Sequence, residues 1–73
     1  MTLKDLSNGA KATVTAVTGN SAATRRLMEM GVVPGVTVKM VKAAPFGDPI
    51  EIRVRGYSLA MRKSEAASIE VSE

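Results

Sequence analysis

Val36, Val38 and Met40, then Ile50, Ile52 and Val54, then Leu59 and Met61, place an apolar residue at every second position, with polar or small side chains between most of them. A period of two puts such residues on one face of an extended chain and is incompatible with a helix. Residues 10–17 carry the same pattern, with Ala10, Ala12, Val14 and Ala16 on one face and Lys11, Thr13 and Thr15 on the other. These segments are expected to be half-buried strands. A chain of 73 residues has room for one small core, so residues 1–73 are read as one domain with no deep substrate cavity.

Helical periodicity interrupts the strands once. Thr18-Gly19-Asn20-Ser21 reads as a turn with Asn20 or Ser21 as N-cap, and a helix is expected over residues 22–30. Ala23, Leu27 and Met30 would form its core stripe, with Arg25 and Glu29 spaced to pair on the other side. Gly31 suits the left-handed position after the helix, Val32 can reach back to Leu27, and Pro34 forbids continuation. Ala44-Pro45-Phe46-Gly47-Asp48-Pro49 demands a stiff, shaped loop. Arg55-Gly56 is expected to be a two-residue hairpin loop or a bulged variant, with Tyr57 in inward phase opposite Val54, its hydroxyl at a rim and its role structural. Residues 63–67 read as one helical turn capped by Ser64, before a closing strand over residues 68–71.

Short strands of this kind, with a helical insertion after the first and a one-turn helix before the last, suggest an all-β fold. A small antiparallel SH3-like barrel of about five strands is the simplest form, in which closure would remove exposed edges. The expected inward set is Val14, Ala16, Leu27, Val36, Val38, Met40, Ile50, Ile52, Val54, Leu59, Met61, Ile69 and Val71.

Little chemistry is available to such a chain. Cysteine is absent, which excludes disulfides, a catalytic thiol and zinc-ribbon ligation and suits a reducing, intracellular home. Histidine is absent too, removing imidazole ligation and the usual general base. The carboxylates are dispersed without calcium-loop spacing, and carboxylates alone favour hard cations over selective ferrous binding. No glycine-rich phosphate cradle occurs. The N-terminus lacks the charged and apolar regions of a signal peptide, and no stretch approaches the ~18 apolar residues of a membrane span. The chain is therefore read as soluble, non-catalytic and without a cofactor.

Ten Lys and Arg against seven Asp and Glu give a net charge of +3, which alone would favour nucleic acid or acidic lipid. The basic residues are scattered along the sequence with acids between them, and are read as a solvated surface rather than a stripe. What remains is a surface for a partner. Arg25 and Arg26 offer forked donors to acidic groups, although the stem of Arg26 could instead cover the core. Met28 lies off the core stripe, exposed or tucked under a loop. Phe46 tips the proline-bracketed loop, and is expected to plug one barrel end unless it meets a partner.

Three runs converge on one family: Arg25-Arg26-Leu27-Met28-Glu29-Met30-Gly31-Val32-Val33-Pro34-Gly35, then Ala44-Pro45-Phe46-Gly47-Asp48-Pro49, then Gly56-Tyr57-Ser58-Leu59-Ala60-Met61-Arg62. With Leu6, Gly9 and residues 65–71, they resemble the ferrous iron transport protein A (FeoA) family over essentially the whole chain. The resemblance implies an SH3-like protein of the bacterial cytoplasm that assists FeoB, a membrane protein with a cytoplasmic GTP-binding domain, in ferrous iron uptake. Iron would be handled by that partner, which would recruit this chain to the inner face of the membrane without insertion. The expected docking set is Arg25, Arg26, Met28, Pro45, Phe46 and Asp48, on the loop and the exposed helix face. Whether the chain forms a homo-oligomer stays open. The alternatives are a regulatory barrel akin to the C-terminal domain of DtxR-like metal-dependent repressors, disfavoured without a helix-turn-helix, and a nucleic-acid-binding barrel, disfavoured by one Phe and one Tyr.

Overall fold

The alternating segments are strands. The computed structural model describes residues 1–19 and 21–73. Among these, five strands appear: β1 (Lys11–Val17), β2 (Thr37–Ala43), β3 (Ile50–Val54), β4 (Tyr57–Met61) and β5 (Ile69–Ser72). Helix α1 (Ala22–Glu29) follows β1 and the single turn α2 (Lys63–Ala66) precedes β5. The strands make one antiparallel sheet in the order β4-β3-β2-β1-β5. Two register shifts, at Thr15 in β1 and Val41 in β2, insert an extra residue against the neighbouring strand. Such bulges bend a strand and raise its twist, which curls the sheet around its apolar face.

Inside the curl, Val14, Val38, Ile52, Val54 and Ile69 are almost wholly buried. Leu27 brings α1 against them. Leu3, Leu6, Val32 and Ala66 also belong to this core, although no period-two or helical pattern singles them out. Leu3 is held by a 3-10 turn (Leu3–Asp5) that packs on α2 and β5. Ala16 and Val36, expected inside, are only half-buried.

The curl does not remove both edges. Along β5, the Val71 N–H donates to the Met1 carbonyl at 2.9 Å and Thr2 bridges Glu70, so the N-terminal residues cover that edge. No strand among the described residues pairs with the outer side of β4.

Helix α1 starts where Ser21 Oγ accepts the Thr24 N–H at 3.1 Å; Asn20, the other cap candidate, lies outside the described residues. It ends as its sequence dictates. Gly31, at φ +105°, donates its N–H to the Met28 carbonyl at 3.0 Å, and the Val32 N–H donates to the Leu27 carbonyl at 3.0 Å, the paired bonds of a Schellman motif. Met30, expected on the core stripe, is instead the C-cap and 38% exposed. Thr24 takes the inner position, and its hydroxyl shares a 2.9 Å hydrogen bond with Ser21 Oγ, so no polar group is stranded.

Arg55 (φ +51°) and Gly56 (φ +85°) form the two-residue loop that sets Val54 opposite Tyr57. Positive φ at both positions is the pattern of a type I′ turn, which matches strand twist. Arg55 and Tyr57 lie over Gly31, where an added Cβ would sit 3.2 Å from Arg55 Cδ and 3.6 Å from the Tyr57 hydroxyl. Tyr57 therefore stands at the rim, as expected of its hydroxyl, and is 41% exposed.

Ile52 is fully buried on the central part of the sheet, and Ile52→Ala should destabilise by about 2–5 kcal/mol in denaturant unfolding. Asp5 supplies a pH-dependent contribution. Its carboxylate accepts the Thr2 N–H at 2.9 Å, and that bond holds its pKa below the ordinary value. Because the folded pKa is the lower one, the stabilisation is present above the unfolded pKa and fades as pH falls through the folded one. Asp5→Asn should lower stability at neutral pH, with the difference from the parent vanishing in the acid limb of a pH-melting series.

Candidate functional site

The proline-bracketed loop is a built turn. The Gly47 N–H donates to the Ala44 carbonyl at 2.8 Å, and Phe46 sits at φ 72°, ψ 8°, the third position of a type II β-turn. Glycine or asparagine is the residue that position favours, because a Cβ there meets the backbone at a cost of roughly 1–2 kcal/mol. The Ala44 N–H donates to the Pro49 carbonyl at 2.9 Å, closing the loop, and the Asp48–Pro49 peptide is cis. Asp48 Oδ1 accepts the Lys63 N–H at 2.9 Å, tying the loop to the start of α2. That bond, with the Arg62 N–H donated to Glu65 Oε1 at 2.8 Å, caps the helix in place of the expected Ser64.

Phe46 projects from this turn wholly into solvent, at 104% relative exposure. It does not plug the barrel: the left-handed backbone aims the ring outward, and aliphatic side chains fill the interior. One residue thus combines a strained φ with an aromatic ring whose burial, worth about 1.5–3 kcal/mol, is not made within the chain.

Beside the loop lies an apolar groove of about 290 Å³, lined by Ala43, Pro45, Pro49, Ile50 and Ala60 and flanked by the cross-strand pair Lys42 and Glu51. A second, more polar groove of about 410 Å³ lies between Arg26, Arg62, Glu65 and Met61. Pro49 and Ala60 line both, so the two adjoin. The fold thus brings Arg26 and the Pro45–Gly47 turn to neighbouring parts of one surface. Arg25 and the 41% exposed Met28 are on the accessible part of α1 but line neither groove. Ala60, Arg62 and Glu65 join the surface although none belongs to the expected docking set, since only the meeting of β4, α1 and the loop brings them there.

The basic residues are less scattered than the linear sequence implies. Strand register sets Lys11 opposite Lys39, and Lys39 opposite Arg53, so three cations form a row across the sheet. No group of three or more Asp or Glu side chains placed to hold a metal ion occurs among the described residues. No helix among them is long and apolar enough to cross a membrane.

A family model described as the FeoA domain matches residues 1–73. The Fe(2+) transport protein A/Fe(2+) transporter FeoB fusion protein of Porphyromonas gingivalis is 38% identical over 71 residues, which are 97% of this chain and 8% of that protein's length. The solution structure of FeoA from Chlorobium tepidum superposes with a TM-score of 0.90 at 45% identity, covering 97% of this chain and 68% of the other. Zinc-complexed FeoA from Stenotrophomonas maltophilia, described as a prokaryotic SH3 domain protein, superposes with a TM-score of 0.87 at 38% identity, covering 99% of this chain and 89% of the other.

The bond from Asp48 to Lys63 makes the loop geometry and the start of α2 one unit. Asp48→Ala should cost about 1 kcal/mol of unfolding free energy, the usual worth of a lost helix cap, and should speed amide exchange at Lys63.

Proposed function

This chain belongs to the FeoA family, and from that premise we propose that it is a non-catalytic accessory of ferrous iron transport that docks on the cytoplasmic side of the membrane transporter FeoB. The fusion in Porphyromonas gingivalis supports the pairing, because joining two modules in one polypeptide keeps them at high effective concentration. Iron is the cargo of the transporter, and this chain, without His or Cys, acts through its surface.

Phe46 is the observation that carries the reading. A strained backbone position is held for a ring that gains nothing in the isolated chain, and the ring's apolar area becomes favourable when it enters a pocket on a partner. Pro45 and Pro49 hold the turn before contact, so little ordering is lost on binding. The adjoining apolar groove extends the contact, and Arg26 and Arg62 at its far end offer forked donors to acidic groups. Arg25 and Met28 on the accessible face of α1 flank this surface, and Asp48 holds its loop in place.

Docking regulates only if one transporter state is bound better than another. A tenfold shift in the state ratio needs about 1.4 kcal/mol of difference, within reach of one well-buried aromatic anchor.

Phe46→Gly separates stability from function. Glycine relieves the strained φ, so unfolding free energy should stay level or rise by up to about 1 kcal/mol. Binding to detergent-solubilised FeoB should weaken at least about tenfold, the loss of a hot-spot residue. A variant that melts as expected but binds as well as the parent would show that Phe46 is not the anchor.

A further inference from the structure

Lys11, Lys39 and Arg53 stand side by side on β1, β2 and β3, all exposed. At the strand spacing of about 4.7–4.9 Å the row runs about 10 Å. Like charges directly opposite one another destabilise a sheet. The same sheet balances charge elsewhere, with Lys42 opposite Glu51 further along the same two strands. In the cationic row the fourth position, across from Arg53, is the neutral Ser58. Arg55 joins the three cations in lining an open groove of about 340 Å³, and no carboxylate lines it. The 3.4 Å contact from Arg53 Nη2 to the Gly56 carbonyl leaves the rest of that guanidinium free.

We infer that this row is a docking site for the phosphate groups of an anionic phospholipid surface. Four cations in a groove lined by no carboxylate call for a polyanion. Four of its seven lining residues are Lys or Arg, its one large apolar lining residue, Val38, is buried in the core, and Lys is depleted in specific protein contacts. Neither Phe46 nor Tyr57 lines it, so it has no stacking platform for a base. It is open, whereas sites for soluble ligands enclose most of the ligand. A bilayer supplies phosphate in a plane and asks only for charge, each basic residue near it strengthening binding about fivefold. The site shares no lining residue with the groove beside the Phe46 loop, and its test involves no transporter.

Co-sedimentation of the full chain with vesicles tests it. Equimolar phosphatidylcholine and phosphatidylglycerol should retain the chain at low salt, phosphatidylcholine alone should not, and added salt should release it. Lys39→Gln with Arg53→Gln should weaken retention roughly 25-fold, at about fivefold per charge. Lys4→Gln with Lys63→Gln removes equal charge elsewhere and should cost far less. The first pair should melt no lower than the parent, because its loss relieves opposed charges. Three results would overturn the site: no retention on the mixed vesicles, equal loss in both pairs, or binding of inorganic pyrophosphate without vesicle binding.

Discussion

A five-stranded sheet this small has a single apolar face and little besides itself to bury it against. Everything else in the structure answers to that constraint. The bulges at Thr15 and Val41 turn the sheet inward, α1 contributes Leu27, and the N-terminal turn contributes Leu3 and Leu6. Without cysteine there is no covalent staple, so the complementary fit of these aliphatic side chains carries the fold. The N-terminal residues serve twice, filling the core and covering the outer edge of β5.

Against that economy, the places where the chain works against its own stability are informative. Phe46 occupies a glycine position in a type II turn and leaves its ring in water, while Lys11, Lys39 and Arg53 oppose like charges across three strands. Neither helps the isolated chain. The two differ in chemistry, one aromatic beside an apolar groove and the other purely cationic, and so suit different partners. An accessory that meets a membrane transporter encounters both kinds, a protein surface and a lipid one.

Local physics was the legible part of the sequence. The strand alternation, the Schellman end at Gly31 and the two-residue loop at Arg55-Gly56 each depend on residues within a few positions of one another. Features made by distant segments were not legible. Leu3 and Leu6 look like an ordinary terminus until the turn docks on α2 and β5. Ser64 looks like a cap until Asp48, fifteen residues away, takes the Lys63 N–H. The cationic row is invisible because Lys11, Lys39 and Arg53 are neighbours only through register. Phe46 departs from expectation for another reason: aromatic residues are usually buried, whereas here the turn carries the ring outside the core. The docking set mixes the two cases, since Arg26 shares a groove with Pro49 while Arg25 and Met28 stand apart from it.

Docking on FeoB is most directly tested by titrating this chain against the detergent-solubilised transporter from the same organism. Binding and GTP hydrolysis would be followed together, in each nucleotide state, with and without ferrous ion. An accessory that acts by preferring one transporter state should bind saturably, with an affinity that differs between nucleotide states and a matching change in hydrolysis or its coupling. Equal affinity for every state would contradict regulation by docking, and no binding in any state would contradict docking itself.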